Sequence, residues 1–151
     1  MYNIINKKIT ILGAGESGLA AATLANHFGA KVFISDNKDR ETLHQSILKK
    51  ISYEFGKHSN RCKNCDLIII SPGIDKKNDI ISDLIKDKKL ISEIEFASWF
   101  TQSPIIGITG SNGKSTTVKL LESIFKTKYK NTFLGGNIGI PFSKNVLLEN
   151  K

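Results

Sequence analysis

The stretch from Ile9 to Asp36 constrains this chain more than any other. Ile9 to Leu12 is an apolar run behind two lysines that leads straight into Gly13-Ala14-Gly15-Glu16-Ser17-Gly18. Ser17 to Phe28 follows, with Leu19, Ala20, Ala22, Thr23, Leu24 and Ala25 as its small and apolar residues. A short apolar run bounded by glycines predicts a buried strand, and small residues in the next segment predict a helix lying close against a sheet. Gly29 is placed to end that helix, Lys31 to Ser35 reads as a second strand, and Asp36 closes it. Strand, glycine turn, helix and strand within about thirty residues form a βαβ unit, whose crossover is expected to be right-handed.

The alternation continues. The sequence predicts a helix near Thr42 to Lys50, a strand at Tyr53 and Phe55, a strongly apolar strand from Leu67 to Ile70, the turn Ser71-Pro72-Gly73, and a helix near Asp79 to Lys86. A short strand at Leu90 to Ile91 and a helix over Glu93 to Phe100 come next, before Pro104 breaks the pattern. Pro104 to Thr109 then reads as a strand entering glycines, and Lys114 to Lys126 as a helix. The fold class is therefore α/β: a Rossmann-like parallel-sheet domain over residues 1–102, then the start of a second strand–loop–helix domain over residues 103–151.

Composition narrows the function classes. Apolar residues are 40% and charged residues 24% of the 151, the balance of a soluble globular protein. No apolar run approaches the roughly 20 residues that cross a bilayer, and Met1 to Lys8 lacks the pattern of a signal peptide, so no membrane and a cytoplasmic location are expected. The net charge of +8 is scattered over pairs such as Lys49 and Lys50, Lys76 and Lys77, and Lys88 and Lys89. Without a basic stripe interleaved with aromatics, no nucleic-acid partner is expected; the field would instead speed encounters with anionic small molecules such as nucleotides. Cys62, Cys65 and His58 offer three donors where a structural zinc site wants four, and His27 and His44 lie in other segments. Reduced structural thiols are the favoured reading.

Two glycine motifs carry chemistry. The first, Gly13 to Gly18, follows a strand and opens a helix, with Asp36 at the end of the next strand. Glycines there let the backbone approach a pyrophosphate at the positive end of a helix, and the acidic side chain can accept hydrogen bonds from a nucleoside. The motif does not say which nucleotide, so an NAD- or nucleotide-binding module without ligase activity stays open, as do glycines that serve only tight packing. The second is Gly110-Ser111-Asn112-Gly113-Lys114-Ser115-Thr116 behind the apolar run Ile105 to Ile108. Backbone N–H groups of such a loop can wrap phosphate oxygens, Lys114 supplies a charge to the outer phosphates, and the Ser115 hydroxyl can ligate Mg²⁺. The longer common form wants glycine at residue 108, which is Ile108; the shorter G-x-x-G-K-[ST] form is intact. A P-loop phosphotransferase or NTPase of another kind would use the same residues.

Ile108 to Thr116 resembles the ATP loop of the Mur ligases, which add amino acids to the peptidoglycan precursor. The glycine-motif first domain, the turn Ser71-Pro72-Gly73-Ile74 and the segment Gly135-Gly136-Asn137-Ile138-Gly139-Ile140-Pro141 extend the resemblance over essentially the whole chain. They point to the member that joins D-glutamate to UDP-N-acetylmuramoyl-L-alanine. The resemblance implies a first domain that holds the UDP part of the substrate, lined by Gly15, Glu16, Ser17, Asp36, Asn37 and Lys38, with Gly73 and Asn137 near the muramoyl and pyrophosphate portions. Where family members often carry an Asp-Thr-Arg type cluster this chain has Asp36-Asn37-Lys38, and lysine does not reproduce the planar fork of arginine. It further implies ATP and Mg²⁺ at Gly110 to Thr116, catalytic roles for Lys114 and Ser115, and a monomer. The family's magnesium-binding glutamate, histidine, modified lysine and third domain have no counterpart up to Lys151, so the chain reads as a fragment, inactive alone.

Overall fold

The computed structural model describes residues 2–39, 51–72, 74, 82–84, 86, 90–136 and 138–149. The expected helix near Thr42 to Lys50, and the sequence-assigned positions Gly73 and Asn137, lie outside them.

A parallel sheet of five strands forms from β1 (Lys8–Leu12), β2 (Lys31–Ser35), β3 (Ser52–Glu54), β4 (Leu67–Ile70) and β5 (Leu90–Ser92), in the order β3-β2-β1-β4-β5. Ile9 pairs with Val32 on one side and Leu67 on the other, and Ile11 with Ile34 and Ile69. Strand order reverses between β1 and β4. In an open parallel sheet, ligands bind beyond the carboxyl ends of the strands at that reversal.

The buried residues of the central strands are mostly apolar because helices and loops cover both faces, and the buried Thr10 hydroxyl of β1 donates to the Cys62 carbonyl. Alternation sorts their side chains. Ile9, Ile11, Ile34 and Ile69 join Leu24, Phe96, Phe100 and Val146 in one core, whereas Leu12, Ile68 and Ile70 pack with Cys62, Cys65 and Leu84 in the other. Helix α1 (Glu16–His27) buries Gly18, Ala21, Ala22, Leu24 and Ala25, and these short side chains bring its axis close to the sheet. Ala30 donates to the carbonyl of Ala25 beyond Gly29, whose φ of +82° closes the helix. Helix α2 (Glu93–Ser98) is capped by the Ser92 hydroxyl, which accepts from Glu95 N–H at 3.1 Å.

Helix α3 (Lys114–Lys128) buries none of its residues, and helix α4 (Phe142–Glu149) packs against α1 and α2. The sequence reading did not anticipate α4, although Pro141 stands directly before it, where proline starts helices well. A second expectation is not met. Pro104 to Thr109 forms no ladder among the described residues; Ile105 and Ile106 are 56% and 59% exposed. An apolar run becomes a strand only beside a partner, and no described strand lies next to this one.

Candidate functional site

Three strand ends meet at the first glycine turn. Gly13 N–H donates to the carbonyl of Ser35, Ser71 N–H to that of Leu12, and the Ser71 hydroxyl to that of Gly13 at 3.3 Å. The glycines of this turn do different jobs. A Cβ on Gly18 would sit 1.9 Å from the Gly13 carbonyl oxygen, and one on Gly13, at φ +96°, 2.9 Å from Ser71 Cβ. Both are required by packing. A Cβ on Gly15 would meet nothing within 4 Å. Gly15 caps α1 at an ordinary extended φ of −72°, and as the N-cap residue it offers no side-chain acceptor to the N–H groups of the first turn. An anionic group fits that end of the helix, which it would share with the exposed carboxylate of Glu16.

Asp36 is 3% exposed. Its Oδ2 accepts from Ala14 N–H at 2.7 Å and its Oδ1 from Lys38 N–H at 2.9 Å, which ties the turn after β2 to the turn after β1. Asn37 and Lys38 are exposed beyond it, and Ser17 is half-buried on α1. Gly15, Glu16, Ser17, Asp36, Asn37 and Lys38 thus lie on the two turns that leave β1 and β2, joined through Asp36.

Behind this turn lies a polar network that the sequence did not announce. The Ser35 hydroxyl donates to Glu54 Oε1 at 2.7 Å and stands 2.8 Å from Nδ1 of buried His58. Glu54 also accepts from Ser59 N–H, the Ser59 hydroxyl and the Cys62 thiol. Burial alone would raise the Glu54 carboxyl, but the hydrogen bonds from Ser59, Ser35 and Cys62 outweigh it and hold it below the ordinary carboxylate value. Burial pushes the His58 imidazole down, against the opposing pull of the Asp36 and Glu54 charges. Burial raises the Cys62 thiol to about 11. His58, Cys62 and Cys65 do not converge: His58 meets Ser35, Cys62 donates to Glu54, and Cys65 to the Cys62 carbonyl. Both cysteines are buried, free thiols.

The second motif forms a solvent-facing loop. Gly113 adopts φ +76° and caps α3 without a side-chain hydrogen bond, and the first turn of α3 contains no acidic residue. Lys114 Nζ folds back onto the carbonyls of Gly110 and Ser111, while Ser111, Asn112, Ser115 and Thr116 are exposed. An uncapped helix end, an ammonium group over the loop and a free hydroxyl one residue on are the donor set for a polyphosphate with its divalent cation.

The glycines around residue 137 build a third structure. Gly135 bridges Ile140, and Asn145 Nδ2 donates to the Leu134 carbonyl at 3.0 Å. A Cβ on Gly135 would come within 2.7 Å of that amide nitrogen, and one on Gly139, at φ +86°, within 2.6 Å of the Leu134 oxygen.

Comparison with known proteins bears on all three. Residues 8–80 match the MurD N-terminal domain. The chain is 43% identical over 150 residues to the UDP-N-acetylmuramoylalanine–D-glutamate ligase of Christiangramia forsetii, covering 96% of this chain and 34% of that protein. It is 36% identical over 148 residues to the ligase of that name from Salinibacter ruber, covering 93% and 32%. Among solved structures, a pseudomurein peptide ligase type C from Methanothermus fervidus superposes with a TM-score of 0.56 at 29% identity, over 81% of this chain and 26% of the other. A murein peptide ligase from Psychrobacter arcticus shares the fold at a TM-score of 0.58 and 23% identity, over 80% of this chain and 26% of the other. The chain thus spans about a third of the length of the curated relatives it matches.

Proposed function

Residues 8–80 belong to the MurD N-terminal domain family, and from that premise we propose that this chain is the N-terminal portion of an ATP-dependent ligase of peptidoglycan precursor synthesis. The whole protein joins D-glutamate to UDP-N-acetylmuramoyl-L-alanine in the cytoplasm, as a monomer. The observation that carries the reading is the 43% identity over 96% of the chain, a stretch long enough to include both glycine motifs. No described helix is long and apolar enough to cross a membrane.

Residues 1–102 form the domain for the uridine nucleotide, and residues 103–151 begin the ATP-binding domain, with their last helix, α4, packed onto the first. Gly15, Glu16 and Ser17 at the start of α1, with Asp36, Asn37 and Lys38 after β2, line the UDP site, and the family resemblance assigns Gly73 and Asn137 to the muramoyl and pyrophosphate portions. The open space at Gly15 supports an anion there, since Gly13 and Gly18 are already explained by packing. Gly110, Ser111, Asn112, Gly113, Lys114, Ser115 and Thr116 hold ATP. Lys114 exchanges its two carbonyl partners for the outer phosphates, and Ser115 is the magnesium ligand.

In the whole enzyme the γ-phosphoryl group passes from ATP to the alanyl carboxylate, leaving ADP. The amine of D-glutamate then attacks the acyl phosphate, forming the amide, releasing phosphate and losing a proton. Mg²⁺ supplies charge neutralisation on the phosphates. These steps depend on positioning and fixed charge, so the two glycine turns contribute by orientation. The chain alone is not expected to turn over.

A dehydrogenase-like use of the first motif would need Asp36 to face a ribose. Its two oxygens each accept one backbone N–H, which leaves lone pairs for a ligand hydroxyl or amide under either reading, so ligand choice separates the two. Titration with UDP, UDP-N-acetylmuramoyl-L-alanine, Mg-ATP and NAD, followed by amide NMR, tests it. Shifts around Gly15 and Asp36 with the uridine ligands are expected, and binding of NAD alone would overturn the proposal.

A further inference from the structure

Helix α4 lies far along the chain from the first domain's core yet is built into it. Val146 is 1% exposed and sits in the core that holds Leu24, Phe96 and Phe100. Both ends of the helix are tied to one segment, residues 93–103. At its start Ser143 N–H donates to Oε1 of Glu93 at 2.5 Å, and Glu93 is only 4% exposed. At its end the Glu149 carboxylate accepts from the hydroxyls of Thr101 and Ser103. A buried carboxyl is costly unless donors meet it, and the first-turn N–H of an eight-residue helix with the positive end of its dipole is such a donor.

The same helix holds the glycine-rich segment. Asn145, two residues on from the Glu93 contact, holds the Leu134 carbonyl, and the Gly135 to Ile140 bridge closes against it without room for a Cβ at Gly135. Among the described residues, the intervening stretch from Pro104 to Tyr129 makes no comparable attachment: Ile105, Ile106, Leu120, Ile124 and Tyr129 are all at least half exposed.

We propose that Glu93 is a positioning residue, which clasps α4 and thereby fixes the Leu134 to Ile140 segment to the uridine domain rather than to the phosphate-loop segment. The substrate-facing role of that segment rests on the function proposed above; the clasp itself does not. Its consequence is that residues 134–149 move with the first domain, and any hinge between the two glycine motifs lies within residues 103–134.

The test is amide hydrogen exchange and NMR on the 151-residue chain. Glu93→Ala is expected to speed exchange at Ser143 to Val146 roughly tenfold or more, by loss of a charge-assisted hydrogen bond. It should also shift the resonances of residues 134–136 and 138–140, while β1, β2 and β4 keep their protection. Glu93→Gln, which keeps an acceptor, should restore most of the effect, and Val146→Asp should reproduce the release with Glu93 intact. Unchanged resonances at 134–140 in both releasing variants would overturn the clasp, as would loss of sheet protection in step with α4. A ligand arm separates the two proposals. With release, UDP affinity should hold while the additional affinity for UDP-N-acetylmuramoyl-L-alanine falls, and equal weakening of both counts against positioning. If the unmutated chain binds neither ligand, the functional reading fails and the exchange comparison still decides the clasp.

Discussion

Asp36 accepts the N–H of Ala14 at 2.7 Å, so the carboxylate that closes β2 also fixes the glycine turn that follows β1. It links two segments that the ladder alone joins only up to Leu12 and Ser35. Removing it leaves a buried N–H without a partner. Asp36→Ala is expected to destabilise the chain by about 1–3 kcal/mol in urea unfolding. Asp36→Asn, which can keep only one carbonyl-type acceptor, should fall between. An unchanged midpoint for the alanine variant would show that the tie carries no stability.

The three glycines of the turn should separate by experiment. Gly18→Ala places a carbon 1.9 Å from the Gly13 carbonyl, and a backbone oxygen cannot move aside without disturbing β1. A loss of several kcal/mol is expected from such overpacking, or no folded protein at all. Gly15→Ala meets open space at a permitted φ, so stability should stay within about 0.5 kcal/mol. Uridine affinity should nevertheless drop, since the new methyl occupies the approach to the helix end. A Gly15→Ala variant that binds UDP as well as the unmutated chain would place the ligand elsewhere.

Much of this was legible in the sequence, for reasons that differ by element. β1, β2 and β4 were plain because strands buried on both faces read as unbroken apolar runs, and α1 because Gly13 to Gly18 and Gly29 punctuate it. Residues 104–109 carry the same apolar signal, yet strand formation depends on a neighbour that periodicity cannot supply. α4 was missed because its buried face includes Ser143 and Asn145, polar residues at core positions, and the tertiary hydrogen bonds that hold it there, from the Ser143 backbone N–H and the Asn145 side chain, are invisible to a hydrophobic pattern. Asp36 was recognised as a site residue, but its bond to Ala14 spans 22 positions and no local rule gives it. His58 drew notice only as a metal donor and Cys62 chiefly as a reduced structural thiol; their partners, Ser35 and Glu54, come together through the β2 to β3 pairing.

Lys114 tests the second motif. Its ammonium group rests on two carbonyls of an exposed loop, an arrangement that contributes little to stability in water. Lys114→Ala should therefore leave the unfolding midpoint nearly unchanged and remove Mg-ATP binding detected by calorimetry. Retained nucleotide affinity in the variant would show that the backbone of the loop, and not this charge, holds the phosphates.

The network behind the first turn predicts how the fold responds to acid. His58 sits below its ordinary value of 6.5 in the folded chain, so the folded state binds fewer protons than the unfolded state as pH falls past 6.5. That contribution to stability is complete above 6.5 and is lost as pH drops through the folded value. Glu54 is held below 4.5 and acts in the same sense at lower pH: its stabilisation is present above 4.5 and disappears as the carboxylate takes up a proton in the folded state. Stability should therefore decline in two stages on acidification, the first beginning below neutrality and the second in the carboxylate range. His58→Gln should flatten the first stage and leave the second, whereas Glu54→Gln should flatten the second and, by removing a charge that favours the imidazolium, deepen the first. Urea midpoints collected from pH 8 down to about 3 for the three proteins decide it: a first stage that survives His58→Gln would assign that titration to another group.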